Sequence, residues 1–110
     1  MNLNQSPTEV VIQLLKRSKC AVQVAAVLAD GWGIFSWGWN SSGPDGLGQH
    51  AEIHCMRRAN PNRIPNATMY VAARRKKNGK SVTAMPCDEC EKVVNYCYRV
   101  MFRSSKNVWA

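Results

Sequence analysis

The chain has 110 residues, 45% of them hydrophobic, with fifteen Lys and Arg against seven Asp and Glu and a formal net charge of +8. This length supports a single compact domain over residues 1–110 with one small core, and the composition excludes a disordered tail. The longest apolar run, AVQVAAVLA, falls well short of the roughly 20 residues a bilayer requires, and MNLNQSPTE lacks the basic head and apolar run of an export signal.

Ser6 reads as an N-cap, with Pro7 at the first helical position and Glu9 three residues on in capping-box spacing. Val10, Val11, Leu14 and Leu15 recur at helical spacing behind it. Lys16, Arg17 and Lys19 suit the negative end of that helix. AVQVAAVLADGWGIFSWGWN follows, two β-branched and aromatic runs around Asp30-Gly31, which is a hairpin signal. SSGPDGLG is a loop near the mouth of a site, and it lacks the lysine of a phosphate-binding loop.

QHAEIHCMRRA contains no Gly or Pro and predicts a short helix, which NPNRIPN ends. ATMYVAA predicts an internal strand, RRKKNGK a charged turn at Asn78-Gly79, and SVTAM a short extended piece that Pro86 stops. CDECEKVVNYC predicts a third helix and YRVMFRS a further strand. The order α-β-β-α-β-α-β predicts a three-layer α/β/α sandwich around a mixed sheet of about four to five strands.

Five cysteines is an odd number, and two of them form a C-x-x-C. In a chain without an export signal this favours metal or thiol chemistry over a disulfide framework, and points to a reduced, cytoplasmic setting. A catalytic zinc takes three protein ligands and keeps one position open. His50, Cys87 and Cys90 supply three, and both segments open predicted helices, where the positive end of the dipole favours thiolates. Glu52 then lies close to the metal without needing to bind it, and a carboxylate there can move protons for a water whose pKa the metal has lowered to about 7.

Other readings exist. His50 and His54, four apart, would make a closed Cys₂His₂ site with the two cysteines, but that leaves Glu52 without a purpose. A redox dithiol is disfavoured by Asp88 and Glu89, which raise thiol pKa values. A fold that binds a ligand without turnover is a third reading.

His50-Ala51-Glu52 followed by Pro86-Cys87-x-x-Cys90 resembles the cytidine and deoxycytidylate deaminase superfamily of zinc-dependent nucleobase deaminases. The likeness runs from about Ala21 to about Phe102 and includes TMYV, entering the third strand, and GWN, which is similar to tRNA adenosine deaminases. It implies one zinc per chain on His50, Cys87 and Cys90. It also implies hydrolytic deamination of cytosine to uracil, with Glu52 passing a proton from water to ring N3 and then to the departing amine. Asn40 would contact the sugar or base edge, the amides of Ala51 and Cys87 would hold the pyrimidine and the attacking oxygen, and the Met85 carbonyl would accept from the exocyclic amine. The residue-level alternative for Asn40 is a turn residue opening the Gly-rich loop.

The net charge and the basic turn Arg74, Arg75, Lys76 and Lys77 suggest an anionic partner such as phosphate or nucleic acid, or simply a solvated strand end. Trp32, Trp37 and Trp39 read mainly as core or interface residues, with Trp39 the best candidate for base stacking. Cys20, Cys55 and Cys97 read as small core residues. Many relatives continue past the fourth strand where this sequence ends. A homo-oligomer is therefore expected to supply the missing wall, with Trp109 in the contact. The expected substrate is a free cytosine nucleoside or nucleotide such as cytidine, deoxycytidine or dCMP. The alternatives are a polynucleotide cytosine deaminase, a tRNA adenosine deaminase, and a zinc-stabilised nucleic-acid-binding module without catalysis.

Overall fold

The computed structural model describes residues 5–42, 48–85 and 87–110. Helix α1 spans Pro7–Leu14 and runs into one 3₁₀ turn, Leu15–Arg17. The Ser6 hydroxyl accepts from the Glu9 N–H at 3.4 Å, so the cap lies where the sequence places it. Strands β1 (Val22–Asp30) and β2 (Gly33–Trp39) form the antiparallel hairpin. Its two-residue loop is Gly31-Trp32, one position later than expected. The Asp30 carboxylate accepts from the Trp32 N–H, and Gly33, at φ 117°, takes the conformation a side chain would resist. Trp32 stands 93% exposed at this tip, so of the core and interface readings of this residue the core one does not hold.

Helix α2 is Ala51–Arg58, β3 is Thr68–Arg75, β4 is Ser81–Val82, α3 is Asp88–Val94 and β5 is Arg99–Phe102. Strand β3 is internal. It pairs antiparallel with β1 along its length, parallel with β5 over its first half and antiparallel with β4 at its end. The mixed five-stranded sheet carries helices on both faces, the α/β/α sandwich the sequence predicts. Alternation in β1 and β3 sorts the two cores. Ala25, Val27 and Ala72 pack under Val10, Val11, Leu14 and Leu15 of the α1 layer. Ala26, Leu28, Met69 and Val71 face the other way, onto Ala51 and Cys55 of α2 and Val94 of α3.

Several bounds differ from the sequence reading. Arg74 and Arg75 belong to β3, because pairing with β1 continues through Val22↔Arg75. Helix α3 stops at Val94, and Tyr96 and Cys97 form the turn into β5. Cys55 is buried, whereas Cys20 and Cys97 are only partly so. Trp109 packs against Tyr70 of its own chain, ring centroids 5.9 Å apart, and remains partly exposed. The Gly-rich loop falls largely on residues 43–47 and the strand stop on Pro86, both outside the described residues. No helix of the described chain is long and apolar enough to cross a membrane.

Helix α2 lies directly on β2. A Cβ added to Gly38 would stand 2.6 Å from the Cys55 nitrogen and 2.9 Å from the Ala51 carbonyl oxygen, both backbone atoms that cannot rotate away. The Ser36 hydroxyl donates to the Cys55 carbonyl at 2.6 Å, and the Trp39 N–H donates to the His54 ring at 3.2 Å. Glycine at 38 therefore sets the height of α2 over the sheet. Gly38→Ala is expected to lower unfolding stability by about 1–3 kcal/mol, the usual cost of overpacking, read as a shifted urea midpoint with unchanged slope.

The hairpin tip is tied across the sheet end by Asp30 and Arg63, two N–H···O contacts of 2.7 Å each. Bonding to the Arg63 guanidinium outweighs partial desolvation and holds the Asp30 carboxyl down at about 2, below its ordinary 3.8. A depressed acid stabilises the fold above its unfolded pKa, and the contribution disappears as pH falls from near 4 through about 2. Asp30→Asn is expected to be less stable than the parent at pH 6 and to converge with it near pH 2, measured by thermal unfolding across that range.

Candidate active site

His50 and Cys87 are the residues immediately before α2 and α3, both in extended backbone, and Cys90 stands one turn into α3. An i, i+3 pair shares one helix face, so the two sulfurs of C-x-x-C point the same way. His50 Nδ1 is 3.4 Å from Cys87 Sγ and 3.1 Å from Cys90 Sγ, and the three donor atoms lie within 4.8 Å of one another. One ring nitrogen facing two sulfurs is three donors converging on a point. Ligands about 2.0 and 2.3 Å from a tetrahedral zinc would sit roughly 3.6 Å apart, close to what the cluster presents. The donor set and its spacing fit one zinc ion.

Glu52, two residues beyond His50, is 5% exposed. Burial pushes its carboxyl above the ordinary value. Its own backbone N–H, the charge of His50 and a bond to the Cys90 side chain pull the other way without cancelling that effect. A carboxyl so placed exchanges protons more readily near neutral pH than an exposed one.

The cluster opens into a cavity of about 370 Å³, the size of a small-molecule site. Of the residues singled out in the sequence, Asn40, His50, Ala51, Glu52, Met85 and Cys87 line it together. Its apolar walls come from Val22, Val24, Ala73, Val82 and Ala84, which the sequence reading missed. Their only signal is strand alternation, which marks a buried face without showing that the face ends in a cavity.

Asn40 is held firmly. Its Oδ1 accepts from the Val24 N–H at 2.9 Å and the Ser18 hydroxyl at 2.6 Å, and its Nδ2 donates to the Val22 carbonyl at 2.9 Å. It both fixes the end of β2 and faces the cavity. His54 bonds to the backbone of Trp39, as a structural histidine does. Arg74 donates to Gln23 Oε1 at 2.7 Å and does not line the cavity, nor do Arg75, Lys76 and Lys77, which are exposed. Trp39 lies outside the main cavity, with the Arg17 and Arg58 guanidinium carbons 5.4 and 5.9 Å from its ring centroid.

An α/β/α sandwich with a His/Cys/Cys cluster beside a buried carboxylate defines a zinc hydrolase of the deaminating kind. The chain belongs to the family described as the cytidine and deoxycytidylate deaminase zinc-binding region, which matches residues 1–103. It is a zinc-dependent hydrolytic deaminase, and the non-catalytic module is set aside. Among solved structures it is similar to a cytidine deaminase from Burkholderia pseudomallei, at TM-score 0.63 and 20% identity over 84% of this chain and 74% of that one. The cytidine deaminase from Mycobacterium leprae gives 0.61 and 16% over 91% and 86%. That from Mycobacterium tuberculosis gives 0.58 and 16% over 86% and 79%. At these identities the likeness is one of fold. No curated protein matches by sequence.

Cys90→Ala removes the buried sulfur of the cluster. Elemental analysis of the purified protein is expected to give about one zinc per chain, and the variant well under a tenth of that, since losing a zinc ligand costs several kcal/mol of binding.

Proposed function

We propose that the chain deaminates a free cytosine nucleoside or nucleotide, such as cytidine, deoxycytidine or dCMP, to the uracil product and ammonia. The observation that carries this reading is the placement of Glu52 in the same cavity as His50 and Cys87, two of the three converging donors, with Cys90 buried behind them. When bound, zinc supplies the Lewis acidity that makes water a nucleophile at neutral pH.

The remaining work falls to side chains of the site. Glu52 accepts a proton from the attacking water and delivers it to ring N3 while the water oxygen bonds to C4. It then carries the second water proton to the amino group, the C4–N4 bond breaks, and ammonia leaves. A buried carboxyl with a raised pKa suits both halves, since it must release each proton as readily as it takes it. The amides of Ala51 and Cys87 are assigned to the pyrimidine and the attacking oxygen, and the Met85 carbonyl to the exocyclic amine. Asn40 is assigned to the sugar or base edge through the second N–H of its amide. The apolar walls exclude bulk water around the ring, which strengthens each of these polar contacts.

We infer further that residues 1–110 act as one domain and that the chain works as a homo-oligomer in the cytoplasm. Met85, at the cavity rim, and Tyr96 and Tyr98, at the exit of α3, are exposed large apolar side chains of the kind a second copy covers.

Cytidine, deoxycytidine, dCMP, a cytosine oligonucleotide and adenosine, assayed for ammonia release, test the reading. Turnover of adenosine in place of cytosine would overturn it. Glu52→Ala is expected to keep its zinc and lose at least about 10²–10⁴-fold in kcat, the range of a general acid–base group. A variant with zinc bound and full turnover would remove Glu52 from the mechanism.

A further inference from the structure

Asn40 and Ser41 line the main cavity and also a second one of about 500 Å³, whose other walls include Arg17, Lys19, Trp39 and Ser42. The two cavities thus adjoin along Asn40-Ser41. Arg17 and Lys19 are both exposed. Glu52 is the one carboxylate among the described residues lining either cavity, and it belongs to the first. Among the described residues, the second is therefore lined by cations and by no anion.

Its arginine is also preorganised. The Arg17 guanidinium carbon lies 5.4 Å from the Trp39 ring centroid. A cation held over the ring face restricts the Arg17 side chain, so an anion can be gripped with less loss of side-chain freedom. Trp39 is steadied in turn by the edge of the His54 ring, centroids 5.1 Å apart. On the other flank the Lys76 N–H donates to the Ala21 carbonyl at 2.9 Å, and Arg75 is paired with Val22, a residue of the main cavity. The basic turn after β3 thus lies against the segment that carries Lys19, and positive charge borders this side of the mouth.

A nucleoside in the first cavity would bring these cations no counter-charge, and no described residue of the second cavity supplies one. We propose that the second cavity holds a phosphate esterified to the sugar of the cytosine substrate, with Arg17 and Lys19 as its cations and Asn40-Ser41 as the bridge to the base. This rests on the reading that the main cavity takes cytosine. The phosphate is either the monoester of a nucleotide or the diester of a single strand, two sources of one chemistry.

Equilibrium dialysis and steady-state turnover on the zinc-loaded protein distinguish these outcomes, with deoxycytidine, dCMP and an unphosphorylated cytosine-centred trinucleotide as probes. Wild type is expected to bind a phosphate-bearing probe at least about tenfold tighter than deoxycytidine, the effect of one charge-assisted contact. Arg17→Ala with Lys19→Ala is expected to bring that ratio close to one. Lys19→Glu, at an exposed position where folding is not in question, is expected to lower it too. Added salt should narrow the ratio. Tighter binding of dCMP identifies the monoester, and tighter binding of the trinucleotide the diester. A ratio near one in wild type, or a ratio the variants leave unchanged, overturns the phosphate site. Phosphate-dependent binding without ammonia release from any probe would overturn the reading of cytosine as the base and leave the phosphate site standing.

Discussion

The contact between Gly38 and the first turns of α2 is the constraint from which the site follows. With no side chain at 38, the backbones of β2 and α2 approach until a Cβ would collide with the Cys55 nitrogen and the Ala51 carbonyl oxygen. That approach fixes where α2 begins. His50 at its cap and Glu52 two residues later then fall at the end of the sheet rather than above its middle. Ser36 on the Cys55 carbonyl and Trp39 on His54 hold the same interface from either side of Gly38. The cost of seating α2 is shared by polar pairs that a helix shifted by one residue would lose.

The second element of the site, α3, has a different anchor. It is short, and its buried residues Cys90 and Val94 sit on the core face. Cys87 and Cys90 therefore reach His50 from a helix that is pinned by the same core that pins α2. Charge is managed by separation. Glu52 is buried among apolar walls with the metal donors, while the cations lie outside, on the turn after β3 and around Trp39. Burial raises the proton affinity of one carboxyl in a strongly basic chain, and the open rim keeps positive charge solvated.

Much of the fold was legible in the primary structure because its signals are local. Ser6-Pro7 with Glu9 marks a helix start whatever lies elsewhere, and the alternation in β1 and β3 encodes two buried faces before any partner is known. The bounds were less legible. Arg74 and Arg75 look like the start of a turn, yet pairing with β1 extends the strand through them. Trp32 has the composition of a core residue, and only the hairpin turn carries it out to solvent.

The candidate site divides in the same way. Residue chemistry at fixed spacing, H-x-E and P-C-x-x-C, determines which atoms can bind a metal and which can carry a proton, because those properties belong to the side chains. Whether His50, 37 residues from Cys87, comes within 3.4 Å of it is a matter of how α2 and α3 pack side by side on one face of the sheet. The apolar cavity walls, and the placing of Arg17 and Lys19 beside Asn40, are likewise long-range consequences of strand order. The sequence by itself determined the chemistry. Only the tertiary structure decided the shape and charge of the space around it, since no local pattern records which distant segments will share a wall.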